Sequence, residues 1–419
     1  MRVLLVNTTE QKGGAAIAAN RLMVALNGHG VKAKMLVSRK ETANLSVVET
    51  GSNWRYRLNF LKERMRIFIA NKFSKANLFA VDIASDGMDI TKLPEFKEAD
   101  VIHLHWINQG FLSLKDIARI IKSGKPVVWT LHDMWEFTGI CHYADSCRQF
   151  MTECHYCPLL KSPGERDLSY EIFVRKLKLF EKANVQFVAV SNWLADCARQ
   201  SSLLRNQNIQ VIPNVLPVAR YVRKEKIASR EYFGLPLDKK IILFGAVKVD
   251  DKRKGLAYLN QALCLLINKK HYDKDQLLLV LFGDIKQPEI LEGIPIPYTH
   301  LGFLKDDDEL SALYSASDVA AIPSLYETFG QTVIEAQACG CVPVTFTGSG
   351  QMDIITHRQD GYLAEYLSVS DFSQGIKWAL EQDIDPAALR ANVIRKYNES
   401  VIASKYIDLY NQICKEEEL

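Results

Sequence analysis

The sequence predicts an α/β protein made of two doubly wound domains, each built on a parallel sheet. Short, nearly continuous apolar runs alternate with amphipathic segments over most of the 419 residues, the pattern of parallel strands covered on both faces by helices. The alternation stops once, at VIPNVLPVARYVRKEK from Val211, where prolines and a basic run carry no apolar period, and then resumes. A chain of this length also exceeds what one ordinary hydrophobic core serves.

The elements follow in order. RVLLVN (2–7) reads as the first strand, with Gly13 and Gly14 in the loop behind it. AAIAANRLMVALNGHG is amphipathic and ends in glycines suited to close a helix. AKMLVS (33–38) is the next strand. WRYRLNFLKERMRIFIANKFSK (54–75) holds seven Lys or Arg and one Glu, and its Leu58, Leu61, Met65, Ile67 and Phe68 recur at roughly helical spacing. That segment is open to two readings, a surface helix with a solvated basic face or an element docking on anionic lipid headgroups. DVIHLHW (100–106), PVVWTLHD (126–133), QFVAVS (186–191) and IQVIPN (209–214) complete the first series. KIILFGAV (240–247), QLLLVLFGD (276–284), YTHLGFL (298–304), VAAIPS (319–324) and VPVTFTG (342–348) form the second. The expected divisions are 1–214, 215–395, and a C-terminal helix over 396–419 that packs back toward the first domain.

Composition narrows the function classes. With 48% hydrophobic and 24% charged residues the chain is ordinary for a soluble globular protein. No apolar run reaches the ~20 residues a membrane-spanning helix needs. The N-terminus has no cleavage-site pattern, so a cytoplasmic location is expected. A net charge of +3 is too small to point to nucleic acid.

In open parallel sheets, ligands bind beyond the carboxyl ends of the strands. The most informative such place is PSLYETFGQTVIEAQACGCVPV (323–344), where a strand ends and a helix starts near Phe329 or Gly330. The N–H groups of Thr328 to Gln331 and the positive dipole end suit a diphosphate. Gly330 permits close backbone approach. Glu335, about a turn and a half further on, is placed to accept hydrogen bonds from ribose hydroxyls, and Glu327 to reach the group beyond the phosphates. On these residues alone, a helix-start carboxylate and a surface glutamate are an equal reading.

Several motifs in this order decide between them. ETFGQTVIE with the CGCVPV turn, the opening VLLVNTTEQKGGAA, VIPNV and DKRKGLAYL together resemble glycosyltransferase family 4 from end to end of the chain. The resemblance implies a retaining enzyme of the GT-B fold, two Rossmann-like domains facing a central cleft. It implies that Lys254 contacts the donor diphosphate and that Glu335 binds the ribose. Glu327 and the backbone of Thr328, Phe329 and Gly330 would hold the sugar and phosphates. Phe303 falls where the family's base-binding strand ends, although a core aromatic is nearly as good a reading. Lys248 stands where the family usually has arginine; it keeps the charge without the forked geometry, and Arg253 would partly compensate. Gly13 and Gly14 would face the donor phosphate and the acceptor. His132 would support the transferred sugar near its reacting carbon, while His105 is expected to be structural.

The same resemblance implies a UDP- or GDP-sugar donor, no catalytic metal, and an acceptor hydroxyl on a glycan or lipid-linked saccharide. The expected setting is bacterial surface polysaccharide assembly at the inner face of the cell membrane, with no nucleic-acid partner. A sugar phosphorylase or nucleotide-sugar epimerase on the same fold is the alternative.

One further stretch stands apart. CHYADSCRQFMTECHYC (141–157) spaces its thiols Cys-x5-Cys-x6-Cys-x2-Cys, with His142 and His155 beside two of them. Three readings stay open. Cys141, Cys147, Cys154 and Cys157 would suit a structural zinc ion, with an imidazole replacing one thiolate in a variant of that site. Buried free thiols are the second reading, and disulfides, disfavoured by a cytoplasmic location, the third.

Overall fold

In the computed structural model of the chain, residues 1–51, 53–181, 183–304 and 306–416 are described. They form two compact units, Met1–Val215 with the chain from Glu399 onward, and Leu216–Asn398. The helix expected over 396–419 is observed as Glu399–Glu416, and its last three expected positions lie outside the described residues.

The first unit holds seven strands: β1 (Arg2–Val6), β2 (Lys32–Val37), β3 (Val47–Glu49), β4 (Val101–Leu104), β5 (Val127–Leu131), β6 (Gln186–Ala189) and β7 (Ile209–Val211). They pair in the order β3-β2-β1-β4-β5-β6-β7, all parallel. Every residue of β4 and β5 is buried, so these central strands read as unbroken apolar runs. The order reverses between β1 and β4, which is where a ligand crevice opens in such sheets. The C-terminal helix supplies Ile402, Tyr406, Leu409, Tyr410 and Ile413 to the same core as Val3, Leu5, Met23 and Met35.

The second unit holds β8 (Lys240–Lys248), β9 (Leu277–Asp284), β10 (Tyr298–His300), β11 (Val319–Ile322), β12 (Val342–Phe346) and β13 (Tyr362–Ala364). Their order is β10-β9-β8-β11-β12-β13, again parallel. The reversal falls between β8 and β11, and those are the strands that lead into the DKRKG and PSLYETFG segments. β3 and β13, three residues each, were not expected.

The basic segment corrects the sequence reading in two respects. The helix spans Asn53–Ala70 and stops short of residue 75; Lys72 and Phe73 adopt left-handed backbone at φ 50° and 59°, which ends it. The expected apolar set also divides. Ile67 is fully buried and Phe68 half-buried, whereas Leu58, Leu61 and Met65 are exposed. At 100° per residue, these three lie on the far side of the helix from Ile67, and roughly helical spacing had merged two faces into one.

Candidate functional site

The loop from β11 to the helix Gln331–Ala338 carries Glu327, Thr328, Phe329 and Gly330, and the helix itself carries Glu335. Two contacts bring the distant DKRKG segment to it. Gly255 has φ 76°, and a Cβ there would stand 2.0 Å from the Pro323 carbonyl oxygen, so only glycine lets that turn close on the strand end. The Leu325 N–H donates to the Arg253 carbonyl at 2.8 Å. Lys254 Nζ consequently reaches Glu327 Oε1 at 2.5 Å, joining two residues that the sequence places 73 apart.

Gly330, at φ 113°, is the N-cap of the helix, which starts one residue later than expected. Thr328 is half-buried. Phe329 is 3% exposed and meets Tyr397 edge-on at 5.7 Å, so its ring belongs to the core and only its backbone belongs to the loop. The Gly350 N–H donates to the Glu327 carbonyl at 2.7 Å, pinning the loop from its other side. Glu335 lies on the buried face of its helix at 7% exposure, so it is no surface glutamate.

The remaining predicted donor residues stand at the rim. Lys248 ends β8 and is exposed. Arg253 does not extend freely toward a ligand: its Nη2 lies 2.6 Å from Asp251 Oδ2 and its Nε donates to Oδ1 at 3.1 Å. Burial raises the Asp251 carboxyl, but the hydrogen bonds and charge of Arg253 outweigh it and hold the group below the usual carboxylate range. The fork expected to compensate for Lys248 is thus engaged within its own loop. Phe303 follows β10 and is 44% exposed, which separates it from a core aromatic.

In the first unit, Gly13 is the N-cap of the helix Gly14–Gly28 with φ 91°, and open space lies over both glycines. Glycine at position 13 is therefore set by the backbone angle and not by crowding. His132 directly follows β5 and is half-buried, with Nε2 2.9 Å from His105 Nδ1 and the two rings stacked. Behind them, His103 lies 2.7 Å from both the Tyr410 hydroxyl and the Thr130 hydroxyl. Burial pushes His132 down to about 4 and His103 to about 3, and drives His105 well below the ordinary value.

The next residue makes a set of contacts that the sequence reading missed. Asp133 accepts from Trp106 Nε1 at 2.9 Å, from His142 Nδ1 at 2.8 Å and from the Trp135 N–H at 2.8 Å. Burial lowers His142, yet Asp133 outweighs that and leaves it raised. In a ring-proton NMR titration His142 should therefore hold its proton at about pH 6 while His103 and His132 remain neutral to about pH 5. A His132 that titrates at the ordinary value would show that it is not held against His105.

The cysteine stretch closes over this network. All four of its thiols are free. Burial pushes Cys141 and Cys154 up to about 12 and Cys157 to about 11. The Gly139 N–H donates to Cys154 Sγ at 3.2 Å, and His142 is committed to Asp133. Among the described residues, no group of three or more His, Cys, Asp or Glu is arranged to hold a metal ion. Cys154 and Cys157 are buried and Cys141 and Cys147 half-buried, with the four thiols not gathered around one point. A fully buried Lys176, which sequence reading also missed, donates from Nζ to the carbonyls of Trp135 and Thr138 and stands 3.4 Å from the Trp135 ring. Burial lowers it to about 7. No helix among the described residues is long and apolar enough to cross a membrane.

Comparison with known proteins adds three kinds of match. Residues 12–220 match the model of Glycosyltransferase Family 4, and residues 225–396 that of Glycosyl transferases group 1. WcaC of Escherichia coli K12, a glycosyl transferase assigned to colanic acid biosynthesis, is 25% identical over 328 residues, 75% of this chain and 76% of that one. N,N'-diacetylbacillosaminyl-diphospho-undecaprenol alpha-1,3-N-acetylgalactosaminyltransferase of Campylobacter jejuni is 27% identical over 252 residues, 57% of this chain and 63% of that one. Among solved structures, Anabaena HepE in complex with UDP and glucose superposes with a TM-score of 0.64 at 14% identity, over 98% of this chain and 100% of that one. At that identity the likeness concerns the fold alone.

Proposed function

Because the chain is a glycosyltransferase of the GT-B fold, with a family 4 region followed by a group 1 region, we propose that it transfers a sugar from a nucleoside diphosphate donor to a hydroxyl of a lipid-linked saccharide. The setting is bacterial surface polysaccharide assembly at the inner face of the cell membrane. The observation that carries this reading is the Lys254–Glu327 pair, fixed beside the start of the helix that bears Glu335.

In this reading the diphosphate lies at Gly330 and the helix start, where backbone N–H groups and the dipole favour negative charge. Lys254 offsets the charge that grows on the departing phosphate, a role that a divalent ion fills elsewhere. Glu335 accepts from the ribose hydroxyls. Glu327 is held on an ammonium group, which suits it to positioning the sugar and not to attacking its carbon. Transfer with retention then requires no enzyme nucleophile. The acceptor oxygen bonds to the sugar carbon on the face the donor oxygen leaves, and its proton passes to the departing phosphate. UDP is the nucleotide to test first, since HepE, which shares the fold, was solved with UDP bound.

Calorimetric titration with UDP and GDP tests the donor assignment. Glu335→Ala should weaken nucleotide binding about tenfold to a hundredfold, the effect of losing hydrogen bonds to a charged group. Unchanged affinity would remove Glu335 from the site. Incubation with a UDP-sugar and no acceptor separates the rival chemistry, because an epimerised sugar would overturn the transferase reading.

A further inference from the structure

We propose that the outer face of the helix Asn53–Ala70 is a docking surface for an anionic lipid bilayer, lying along the interface with its apolar stripe inserted among the headgroups. The proposal rests on the reading of a lipid-linked acceptor and names the surface on which the protein meets it.

The geometry points outward without ambiguity. Trp54, Leu58, Leu61, Met65 and Ile69 are spaced by three or four residues and so share one side of the helix. All five are exposed, from 41% at Leu58 to 65% at Trp54. Glu63, Arg64 and Ile67 are the buried residues of the same helix, and at 100° per residue they centre about half a turn away from the stripe. A helix on a globular surface normally turns its polar face to water; here the face that leaves the core is the apolar one. Phe73, 69% exposed, follows the helix end.

Charge identifies the occupant. Arg55, Arg57, Lys62 and Arg66 flank the stripe, and Lys72 and Lys75 follow; all six are exposed. Arg66 is paired with Asp86 at 2.6 Å. The helix's single acid, Glu63, faces inward and is 0% exposed. A second copy docking stripe to stripe would bring two such basic sets together, whereas an anionic headgroup layer complements both the charge and the apolar strip. At 18 residues the helix is about 27 Å long, enough to lie across several headgroups.

The test is co-sedimentation of the whole protein with vesicles, in the absence of any sugar donor. Vesicles of phosphatidylcholine and phosphatidylglycerol should bind it and release it as salt rises, and pure phosphatidylcholine should bind it poorly. Leu61→Ser/Met65→Ser and, separately, Arg57→Glu/Lys62→Glu should each weaken binding at least about tenfold, with melting temperature and UDP affinity unchanged. Wild-type protein indifferent to phosphatidylglycerol, or variants that bind like wild type, would overturn the proposal. So would self-association abolished by Leu61→Ser/Met65→Ser without vesicle binding, or retention by an acidic protein alone. Wild-type protein that binds UDP but not the anionic vesicles rejects only the surface. Intact vesicle binding without nucleotide affinity rejects only the donor site.

Discussion

Lys254→Ala is expected to lower kcat by about two to three orders of magnitude, the usual cost of removing one preorganised charge from a developing anion. The side chain is well held for that task. Gly255 closes on the Pro323 carbonyl, Leu325 donates to Arg253, and Nζ is fixed by Glu327. An ammonium already positioned needs little reorganisation when the diphosphate departs. Lys254 and Glu327 are both partly exposed, so stability should change little. The loss should therefore appear in kcat with the melting temperature preserved. Lys254→Arg should recover part of the rate, because charge returns but the compact donor geometry does not. Wild-type turnover by the alanine variant would show that the positive charge on the leaving group comes from elsewhere.

Arg64→Met should cost about 3–5 kcal/mol of stability, as expected when one partner of a buried charged set is removed. Arg64 Nη1 donates to the carbonyls of Leu78 and Val81, and Nη2 lies 2.8 Å from Asp82 Oδ2 and 3.8 Å from Glu63 Oε2. Burial, with Asp82 adding to it, pushes Glu63 up to about 9. One guanidinium therefore serves two buried carboxyl groups, Asp82 closely and Glu63 at longer range. Without it, the Asp82 carboxyl loses its cation in a buried site, and two buried carbonyls lose their donor. Denaturant unfolding monitored by circular dichroism would measure the loss. Adding Asp82→Asn should return part of it, and two independent, additive losses would show that the residues do not act as a unit.

The fold was legible because parallel strands buried on both faces leave runs such as VVWTL, which no surface element tolerates. The approach of these segments had two sources: Glu327, Gly330 and Glu335 follow a strand end, where such sheets place ligands, while Lys254 was assigned to the same place only through the family resemblance. What escaped were partnerships made by tertiary approach. Nothing local connects Trp106 or His142 to Asp133, or Lys176 to the Trp135 ring. Nor did spacing reveal which side of the helix Asn53–Ala70 faces the core, since that depends on Asp82 and its neighbours beneath it. The cysteine spacing showed nearness along the chain but could not say whether four sulfur atoms converge.

The helix Glu399–Glu416 has a consequence for biosynthesis. Its Tyr410 hydroxyl stands against His103, its Tyr406 hydroxyl lies 3.1 Å from that of Thr130, and its apolar face fills the core of the first sheet. The first unit thus takes its last helix from beyond the second, and it is not complete until translation has passed through the whole of Leu216–Asn398. On the ribosome, the unit that emerges first is completed last.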